Sequence, residues 1–439
     1  MLRKSFYISA LPFIFAFGLI GACAGPVVSD SENTIDAHKI RRRKDAGTVL
    51  DSSVIYDSSL DVMSDTSDSS LSDASTDVLI DSSSDVLPID SGTSNYWITG
   101  YYAGYQTWIY PVNAIDWSSL THLAVAFYLP KNDGTLDESL FIDNVNGPAL
   151  ANSITQAAHS NNKKALASIG GAGTRAGFVY AMTNNKVKFI SNINNLITKY
   201  NYDGIDLDWE PAYDVDAPML LEIVQQIKLA HPNAIITVPV NSINVNLGEQ
   251  VASYPPMIPY VDQFNIMSYG MAGPYDGWKT WHSSALYHQS LSTPMSIDGS
   301  VKYYLNKGLP SKKIGVGSGF YGLCYSPPVT APLQDLNGSW IVAGDNDMSY
   351  TNIMNLYYNQ NALKWDNNAY VPYLSFNTAL GPNGCSYISY EDPQSIALKS
   401  QYIKQNNLGG AMIWTINQGY LSGAQDKNPL LTAFKNNLQ

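Results

Sequence analysis

Eight short runs of apolar and β-branched residues recur along residues 95–439 of the 439-residue chain. The runs are Trp97–Tyr102, His122–Tyr128, Ala165–Gly170, Gly204–Glu210, Ala234–Val240, Gln263–Tyr269, Ile314–Ser318 and Ala411–Thr415. Helical periodicity lies between several of them, most clearly in Lys186–Tyr200, Asp216–Leu229 and Pro393–Gln405. Eight buried strands that alternate with helices predict an α/β fold, a (β/α)8 TIM barrel. A doubly wound sheet is the alternative, but it gives no reason for eight repeats.

The fourth run carries a ladder of acids in the order Asp203-Gly204-Ile205-Asp206-Leu207-Asp208-Trp209-Glu210. Alternate residues of a strand share a face, so Asp206, Asp208 and Glu210 should point into the barrel while the apolar residues pack beneath the helices. Three neighbouring carboxylates in a partly dry site cannot all ionise cheaply, so we expect shared protons and a neutral, proton-donating Glu210. Asp203 falls out of step with this alternation, so it should not share the face of the three acids, which favours a structural role for it.

Other interpretations of this ladder remain open at this stage. An acidic strand end could bind Ca²⁺ or Mg²⁺, it could be a solvated edge strand, or it could be the remnant of an inactive enzyme. The large apolar residues between the acids argue against the edge strand.

The acids also match the DxxDxDxE signature of glycoside hydrolase family 18, which contains chitinases and endo-β-N-acetylglucosaminidases. Further motifs of that family resemble segments of this chain in the same order: Gly100-Tyr101-Tyr102 (strand one), Ser168-Ile169-Gly170-Gly171 (SxGG), Met267-Ser268-Tyr269 (MxY) and Gly409–Trp414 (strand eight). The resemblance extends from about Tyr96 to the C-terminus and implies the barrel fold.

The resemblance also implies a retaining, substrate-assisted mechanism, in which the sugar's own 2-acetamido oxygen attacks the anomeric carbon. It assigns roles to the following residues: Glu210 as the acid and base, Asp208 as the partner of the acetamido N–H, Asp206 as the residue that shares a proton with Asp208, Tyr269 as a donor to the acetamido group, and Trp414 as the floor under the −1 sugar. Tyr101, Ser168 and Met267 are further substrate-binding candidates, with Tyr101 and Ser168 behind the residues that touch the sugar, and Gly170 and Gly171 are structural.

The implied function is a chitinase that acts on β-1,4-linked N-acetylglucosamine polymers or oligomers, without a cofactor or metal. The alternatives are an endo-β-N-acetylglucosaminidase acting on N-glycans, or a catalytically weak chitin-binding lectin on the same scaffold. Lectins on this scaffold usually lack the Glu that acts as the acid, so the presence of Glu210 favours an enzyme over a lectin.

Three positions depart from the family pattern. Gly270 stands where an Asp usually follows the MxY tyrosine, and Asp276 is close enough in sequence to substitute for it. Ala172 replaces the Trp that usually follows SxGG, which predicts a shorter non-reducing side of the cleft. Pro211 follows the catalytic Glu in place of the frequent Tyr.

Residues 323–386 break the alternation of strands and helices with short polar and aromatic pieces. This stretch is too long for an ordinary loop, so we predict an insertion subdomain between the seventh and eighth strands, similar to the insertion domain of chitinases. Cys324 and Cys385 bracket it. In an oxidising compartment they would form a disulfide, and otherwise they are free thiols.

The N-terminus resembles an export signal. Arg3 and Lys4 precede an uncharged apolar run that ends in Ile20-Gly21-Ala22-Cys23, similar to a bacterial lipobox. Residues 1–23 are therefore predicted to be a lipoprotein signal peptide, with Cys23 lipid-anchored to the cell envelope, in the outer membrane by resemblance. A plain signal peptide with a chance Cys is the alternative.

Residues 24–94 form an Asp/Ser-rich segment that holds 14 of the chain's 37 acids. Such a composition cannot bury enough apolar surface to fold, so a disordered linker is predicted. Its basic run Arg41–Lys44 is either solvated or in contact with anionic lipid headgroups. The net charge of −12 argues against a nucleic-acid partner. We expect a monomer whose partners are the glycan and, through Cys23, the membrane.

Overall fold

A computed structural model describes residues 96–246 and 252–439, all of which belong to the unit Leu87–Gln439. The predicted signal peptide 1–23, the lipidation site Cys23 and the linker 24–94 lie outside the described residues.

The strands of the described part form one parallel barrel and one antiparallel sheet. They are β1 (Trp97–Ala103), β2 (His122–Pro130), β3 (Leu136–Asp137), β4 (Lys164–Gly171), β5 (Gly204–Trp209), β6 (Ile235–Asn241), β7 (Gln263–Met267), β8 (Ile314–Gly319), β9 (Leu323–Tyr325), β10 (Ile341–Ala343), β11 (Leu363–Asp366), β12 (Val371–Leu380), β13 (Cys385–Ser389) and β14 (Gly410–Trp414). Strands β1, β2, β4, β5, β6, β7, β8 and β14 pair in parallel, and β1 pairs with both β2 and β14, which closes the ring. The predicted TIM barrel is confirmed.

Helices cover the outside of the barrel, with one exception. They are α1 (Asn146–Ser160), α2 (Arg175–Asn184), α3 (Lys186–Tyr200), α4 (Ala217–Ala230), α5 (Ile297–Asn306), α6 (Tyr350–Asn352, continued by a π-turn at Ile353–Tyr357), α7 (Pro393–Gln405) and α8 (Pro429–Leu438). The exception is α6, which belongs to the insertion between β8 and β14. Asp392 caps α7, because its side chain accepts a hydrogen bond from the Ser395 amide at 2.8 Å. Within the described ranges, no helix combines the length and the apolar composition that a bilayer crossing requires.

Side chains alternate between the two faces of β5, and this alternation determines which of them reach the barrel interior. Ile205, Leu207 and Trp209 are buried in the main core between barrel and helices. Trp209 stacks on Phe178 of α2, with ring centroids 4.5 Å apart. The acids of β5 consequently point the opposite way, toward the barrel axis.

Strand β7 ends at Met267, two residues earlier than the sequence pattern predicts. The chain turns there, since the Ser268 amide donates to the Ile266 carbonyl at 2.8 Å and Gly270 has a φ of +64°. Tyr269 therefore lies on the turn that follows the strand.

The insertion between β8 and β14 is a five-stranded antiparallel sheet in the order β10-β9-β13-β12-β11. Its last strand ends at Ser389, three residues beyond the predicted bound. Cys324 on β9 and Cys385 on β13 are joined by a disulfide, with their Cα atoms 5.3 Å apart. The bond links two neighbouring strands, so it closes the base of the insertion.

Candidate active site

Asp206 is fully buried and held by the two strands that flank β5. Its Oδ2 accepts a hydrogen bond from Ser168 Oγ on β4 at 2.6 Å, and its Oδ1 accepts one from Thr237 Oγ1 on β6 at 2.5 Å. Burial raises the pKa of Asp206 to about 6, and these two hydrogen bonds limit the rise because they stabilise the charged form. Ser168 was a sequence candidate. Thr237 was not, because a lone Thr in a β-branched run carries no signal of function.

Asp208 and Glu210 form the upper part of the ladder. Burial, followed by the charges of Glu210 and Asp206, raises the pKa of Asp208 well above its usual range. Burial also raises the pKa of Glu210 to about 7; the charge of Asp206 adds to this rise, and a hydrogen bond with Asp208 opposes it. A carboxyl group with a pKa near neutrality is suited to both donating and accepting a proton at physiological pH.

Asp208 interacts with both other acids of the ladder. The charges of Glu210 and Asp206 both contribute to its raised pKa, while both oxygens of Asp206 also accept hydrogen bonds, from Ser168 and Thr237. The proton sharing between Asp206 and Asp208 that the resemblance implies stays a prediction. The buried Oδ1 of Asp208 has no hydrogen-bond partner among the described residues. An unsatisfied buried acceptor is costly, and this one is available to an N–H donor of a ligand.

Gly170 leaves the space that Asp208 needs. It has a φ of +116°, and a Cβ atom at this position would lie 2.1 Å from the carbonyl oxygen of Asp208. Gly171 is similar: its φ is +98°, and a Cβ atom would lie 2.8 Å from the ring of Phe127. Both glycines thus fit the structural role predicted for them.

An aromatic group lies above the ladder at the end of β14. The Trp414 ring stacks on Phe127 with centroids 5.3 Å apart and contacts Tyr101 at 5.6 Å. Met267 and Tyr269 pack against the same cluster inside the barrel. Tyr269 directs its hydroxyl toward Met412 Sδ at 3.7 Å, and burial raises its pKa. Burial, followed by the charges of Asp206 and Asp208, raises the pKa of the Tyr101 hydroxyl, which faces the ladder.

Asp345, which sequence reasoning missed, brings the insertion into this site. Its Oδ1 accepts hydrogen bonds from Trp414 Nε1 at 3.2 Å and from Gln418 Nε2 at 2.9 Å. Burial raises the pKa of this carboxyl group. No sequence motif marks Asp345, because its contact with Trp414 joins residues that are 69 positions apart.

Asp203 lies away from the ladder, at the start of β5. It accepts hydrogen bonds from Lys164 Nζ at 2.7 Å, from the Ala165 amide at 2.9 Å and from His159 Nε2 at 2.8 Å. These contacts join β5 to β4 and α1, which is consistent with a structural role for Asp203.

In the described ranges, no three His, Cys, Asp or Glu side chains are grouped in a way that could hold a metal ion. The ladder carboxylates instead contact hydroxyl groups and one another.

The model of glycosyl hydrolases family 18 matches residues 97–419, from β1 through the segment that follows β14. The chain belongs to this family.

Individual family members resemble the chain at low identity. It is 26% identical over 360 residues to an endochitinase of Manduca sexta, covering 73% of this chain and 63% of that protein. It is 23% identical over 406 residues to a chitinase-like effector of Moniliophthora perniciosa, covering 79% of this chain and 87% of the effector. Among solved structures, the Group IV chitinase of Ostrinia furnacalis in complex with allosamidin has a TM-score of 0.66 at 23% identity, covering 78% of this chain and 98% of that one. The chain thus spans less than two thirds of the Manduca protein, and the structural likeness concerns the fold.

The structure shows the surroundings of Gly270, which departs from the family 18 pattern, and of Asp276, its candidate substitute. Gly270 is exposed, and a Cβ atom there would lie 3.1 Å from the Tyr321 hydroxyl. Asp276, the candidate substitute, is exposed and lines a surface depression together with Trp278 and Trp340. Asp345 is the acid that contacts the proposed sugar floor, and it comes from the insertion instead of from the turn after β7.

Proposed function

We propose that this family 18 protein is a chitinase that hydrolyses β-1,4-linked N-acetylglucosamine polymers or oligomers by substrate-assisted, retaining catalysis. The observation that carries the proposal is the state of the upper ladder: Glu210 has a pKa of about 7 beside Asp208, whose buried Oδ1 lacks a partner. The similarity to an endochitinase over 73% of the chain supports the same substrate class.

In the first step, Glu210 donates its proton to the glycosidic oxygen. The bond between this oxygen and the anomeric carbon breaks while the 2-acetamido oxygen attacks the same carbon, which gives an oxazolinium ion and a shortened chain. Asp208 Oδ1 accepts the acetamido N–H and, as a carboxylate, stabilises the positive charge that develops. Asp208 and Glu210 together carry one proton before this step, and it is this proton that Glu210 donates, so both groups are carboxylates when the oxazolinium ion has formed.

In the second step, the Glu210 carboxylate takes a proton from water, and the water oxygen attacks the anomeric carbon. The bond to the acetamido oxygen breaks, and Glu210 returns to its protonated form. Two displacements at one carbon restore the β configuration.

The aromatic cluster positions the sugar for both steps. Trp414 is held between Phe127, Tyr101 and the Asp345 hydrogen bond, so it offers a fixed apolar surface to one face of the −1 pyranose. Tyr269, on the turn after β7, would donate its hydroxyl to the acetamido group in exchange for its weak contact with Met412. Fixing the reacting groups in this way lowers the entropic part of the barrier.

We also propose that the protein is exported and anchored to the cell envelope through lipid at Cys23, which would place the enzyme near extracellular chitin or its oligomers. This proposal depends on the N-terminal sequence alone.

The experiment is a product analysis. Purified protein is incubated with N-acetylglucosamine oligomers and, separately, with an N-glycoprotein, and the initial products are followed by NMR. Cleavage of the oligomers to products that are first β-anomers is expected. Release of N-glycans alone would favour the endo-β-N-acetylglucosaminidase, and binding without cleavage would favour a lectin. Initial α-anomers would exclude the substrate-assisted route.

A further inference from the structure

A buried ion pair outside the ladder is linked to the turn that carries Tyr269. Lys399 on α7 has no exposed side-chain surface, and Glu391, between β13 and α7, is 2% exposed. Lys399 Nζ donates to Glu391 Oε1, and Glu391 Oε2 accepts a hydrogen bond from Ser395 Oγ at 2.6 Å. A buried ion pair contributes little net stability in many proteins, because the desolvation of two charges offsets their attraction. Stability alone therefore gives no reason for this pair.

One hydroxyl group joins the pair to the turn after β7. Lys399 Nζ also donates to Ser284 Oγ at 2.8 Å, and Ser284 Oγ donates to the carbonyl oxygen of Ser268 at 2.6 Å. An ammonium group can only donate, so the Ser284 oxygen accepts from Lys399 and its single proton goes to Ser268. The direction of both hydrogen bonds is thus fixed by Lys399.

Every hydrogen-bonding group of Ser268, the residue before Tyr269, has a partner. Its amide donates to the Ile266 carbonyl at 2.8 Å, and its carbonyl accepts from Ser284. Its Oγ accepts a hydrogen bond from the Gly317 amide at 3.0 Å and donates to the Gly317 carbonyl at 2.8 Å. The backbone that leads into Tyr269 is therefore held from two directions, by β8 and by Ser284.

Ser283, the neighbour of Ser284, holds the other side of the same turn. Its Oγ accepts a hydrogen bond from the Gly270 amide at 3.2 Å, and its carbonyl accepts one from the Met271 amide at 2.8 Å. Its own amide donates at 2.8 Å to Ser389 Oγ, at the end of β13. The two serines thus connect α7 and the insertion to both sides of the turn.

We propose that Lys399 is a positioning residue for catalysis: by way of Ser284 it fixes the turn that carries Tyr269. This role rests on the proposed function, in which the Tyr269 hydroxyl donates to the 2-acetamido group. The hydroxyl has a weak contact with Met412 Sδ at 3.7 Å, so its position depends on the packing of the ring and on the backbone of the turn. Catalysis is sensitive to small displacements of the groups that orient the substrate, which gives the buried pair a function beyond stability.

The test removes the link and the cation separately. kcat/KM on N-acetylglucosamine oligomers is measured for the wild type, Ser284→Ala and Lys399→Met, with a melting curve for each protein. Ser284→Ala keeps the ion pair and removes one hydrogen bond to the turn, so kcat/KM should fall by about 2- to 12-fold. Lys399→Met should lose at least as much. It also leaves the Glu391 carboxyl group buried without its cation, so Ser284→Ala decides the outcome if Lys399→Met does not fold.

The matched control is Lys404→Met, which changes an exposed lysine of the same helix and should keep wild-type kinetics. A second series places Ser284→Ala in Tyr269→Phe, which lacks the hydroxyl group that is to be positioned. If Lys399 acts through Tyr269, Ser284→Ala should lower the kcat/KM of Tyr269→Phe by much less than that of the wild type, because the two positions are coupled. A residue that only stabilises the fold would cause the same fold-loss in both backgrounds.

The outcomes separate this role from the proposed function. Equal fold-losses in the two backgrounds overturn the positioning role and leave the chitinase standing. Wild-type kinetics in Ser284→Ala have the same consequence. A wild type that cleaves no oligomer overturns the proposed function, and the positioning role with it.

Discussion

The indole Nε1 of Trp414 donates a hydrogen bond to Asp345 Oδ1 at 3.2 Å, and this contact ties the last barrel strand to the insertion. It gives the insertion a direct part in the proposed active site, since Trp414 is the expected floor of the −1 sugar. The same carboxyl group holds Gln418, so the segment after β14 is positioned by one side chain of a different subdomain.

Asp345→Ala should weaken catalysis by loosening Trp414. The loss of one hydrogen bond of this kind corresponds to about a 2- to 12-fold lower kcat/KM. Asp345→Asn keeps an oxygen acceptor and should lose less. Asp347→Ala is the control, because Asp347 is an exposed acid two residues away without a contact to Trp414 among the described hydrogen bonds. Equal activity of Asp345→Ala and Asp347→Ala would show that the contact is dispensable.

The disulfide should stabilise the insertion. Cys324 and Cys385 are 61 positions apart, and closing a loop of this length contributes roughly 4 kcal/mol on the chain-entropy model. Replacement of both by Ser should therefore lower the melting temperature measured by calorimetry. A non-reducing peptide map of the wild type should contain the linked pair, and two alkylatable thiols in the unreduced protein would refute the bond.

The raised pKa values of the ladder predict how stability depends on pH. Folding raises the pKa of Glu210 from 4.5 to about 7 and that of Asp206 from 3.8 to about 6. Between the unfolded and folded values the native state binds more protons, so stability should fall as pH rises from about 4 to 7. Glu210→Gln removes one of these groups, and its unfolding free energy, measured by urea denaturation, should fall less over this range. An identical pH dependence in the variant would contradict the raised pKa.

The N-terminal prediction is tested in cells. Wild-type protein should carry lipid at Cys23 and partition with the membrane fraction, whereas Cys23→Ser should be released as soluble protein. Wild type that is wholly soluble, with a mature N-terminus elsewhere, would refute the lipobox interpretation.

Much of the fold could be predicted from the periodic spacing of apolar residues in the sequence. Burial of Ile205, Leu207 and Trp209 on one face of β5, with the acids on the other, is a direct consequence of strand geometry. The runs of apolar residues in the sequence also place the strands of the barrel. The apolar pattern of the sequence could not place the end of β7. The chain turns there because Gly270 adopts a left-handed backbone conformation, which the pattern of apolar and polar residues does not reveal.

The parts of the site that escaped prediction are those made by distant contacts. Thr237 reaches Asp206 through strand register, and Asp345 reaches Trp414 through the fold of the insertion. Asp276 was a candidate through its nearness in sequence, but it lies at the exposed surface.

The central claim is that Glu210 transfers the proton, and the activity of Glu210→Gln on N-acetylglucosamine oligomers tests it most directly. Gln keeps the shape and hydrogen bonding of the side chain but has no proton to donate, so kcat should fall by about 100-fold or more while oligomer binding, followed by calorimetry, persists. Glu222→Gln, which alters an exposed Glu of α4 paired with Lys186, should keep wild-type activity. Full activity in Glu210→Gln would contradict the account.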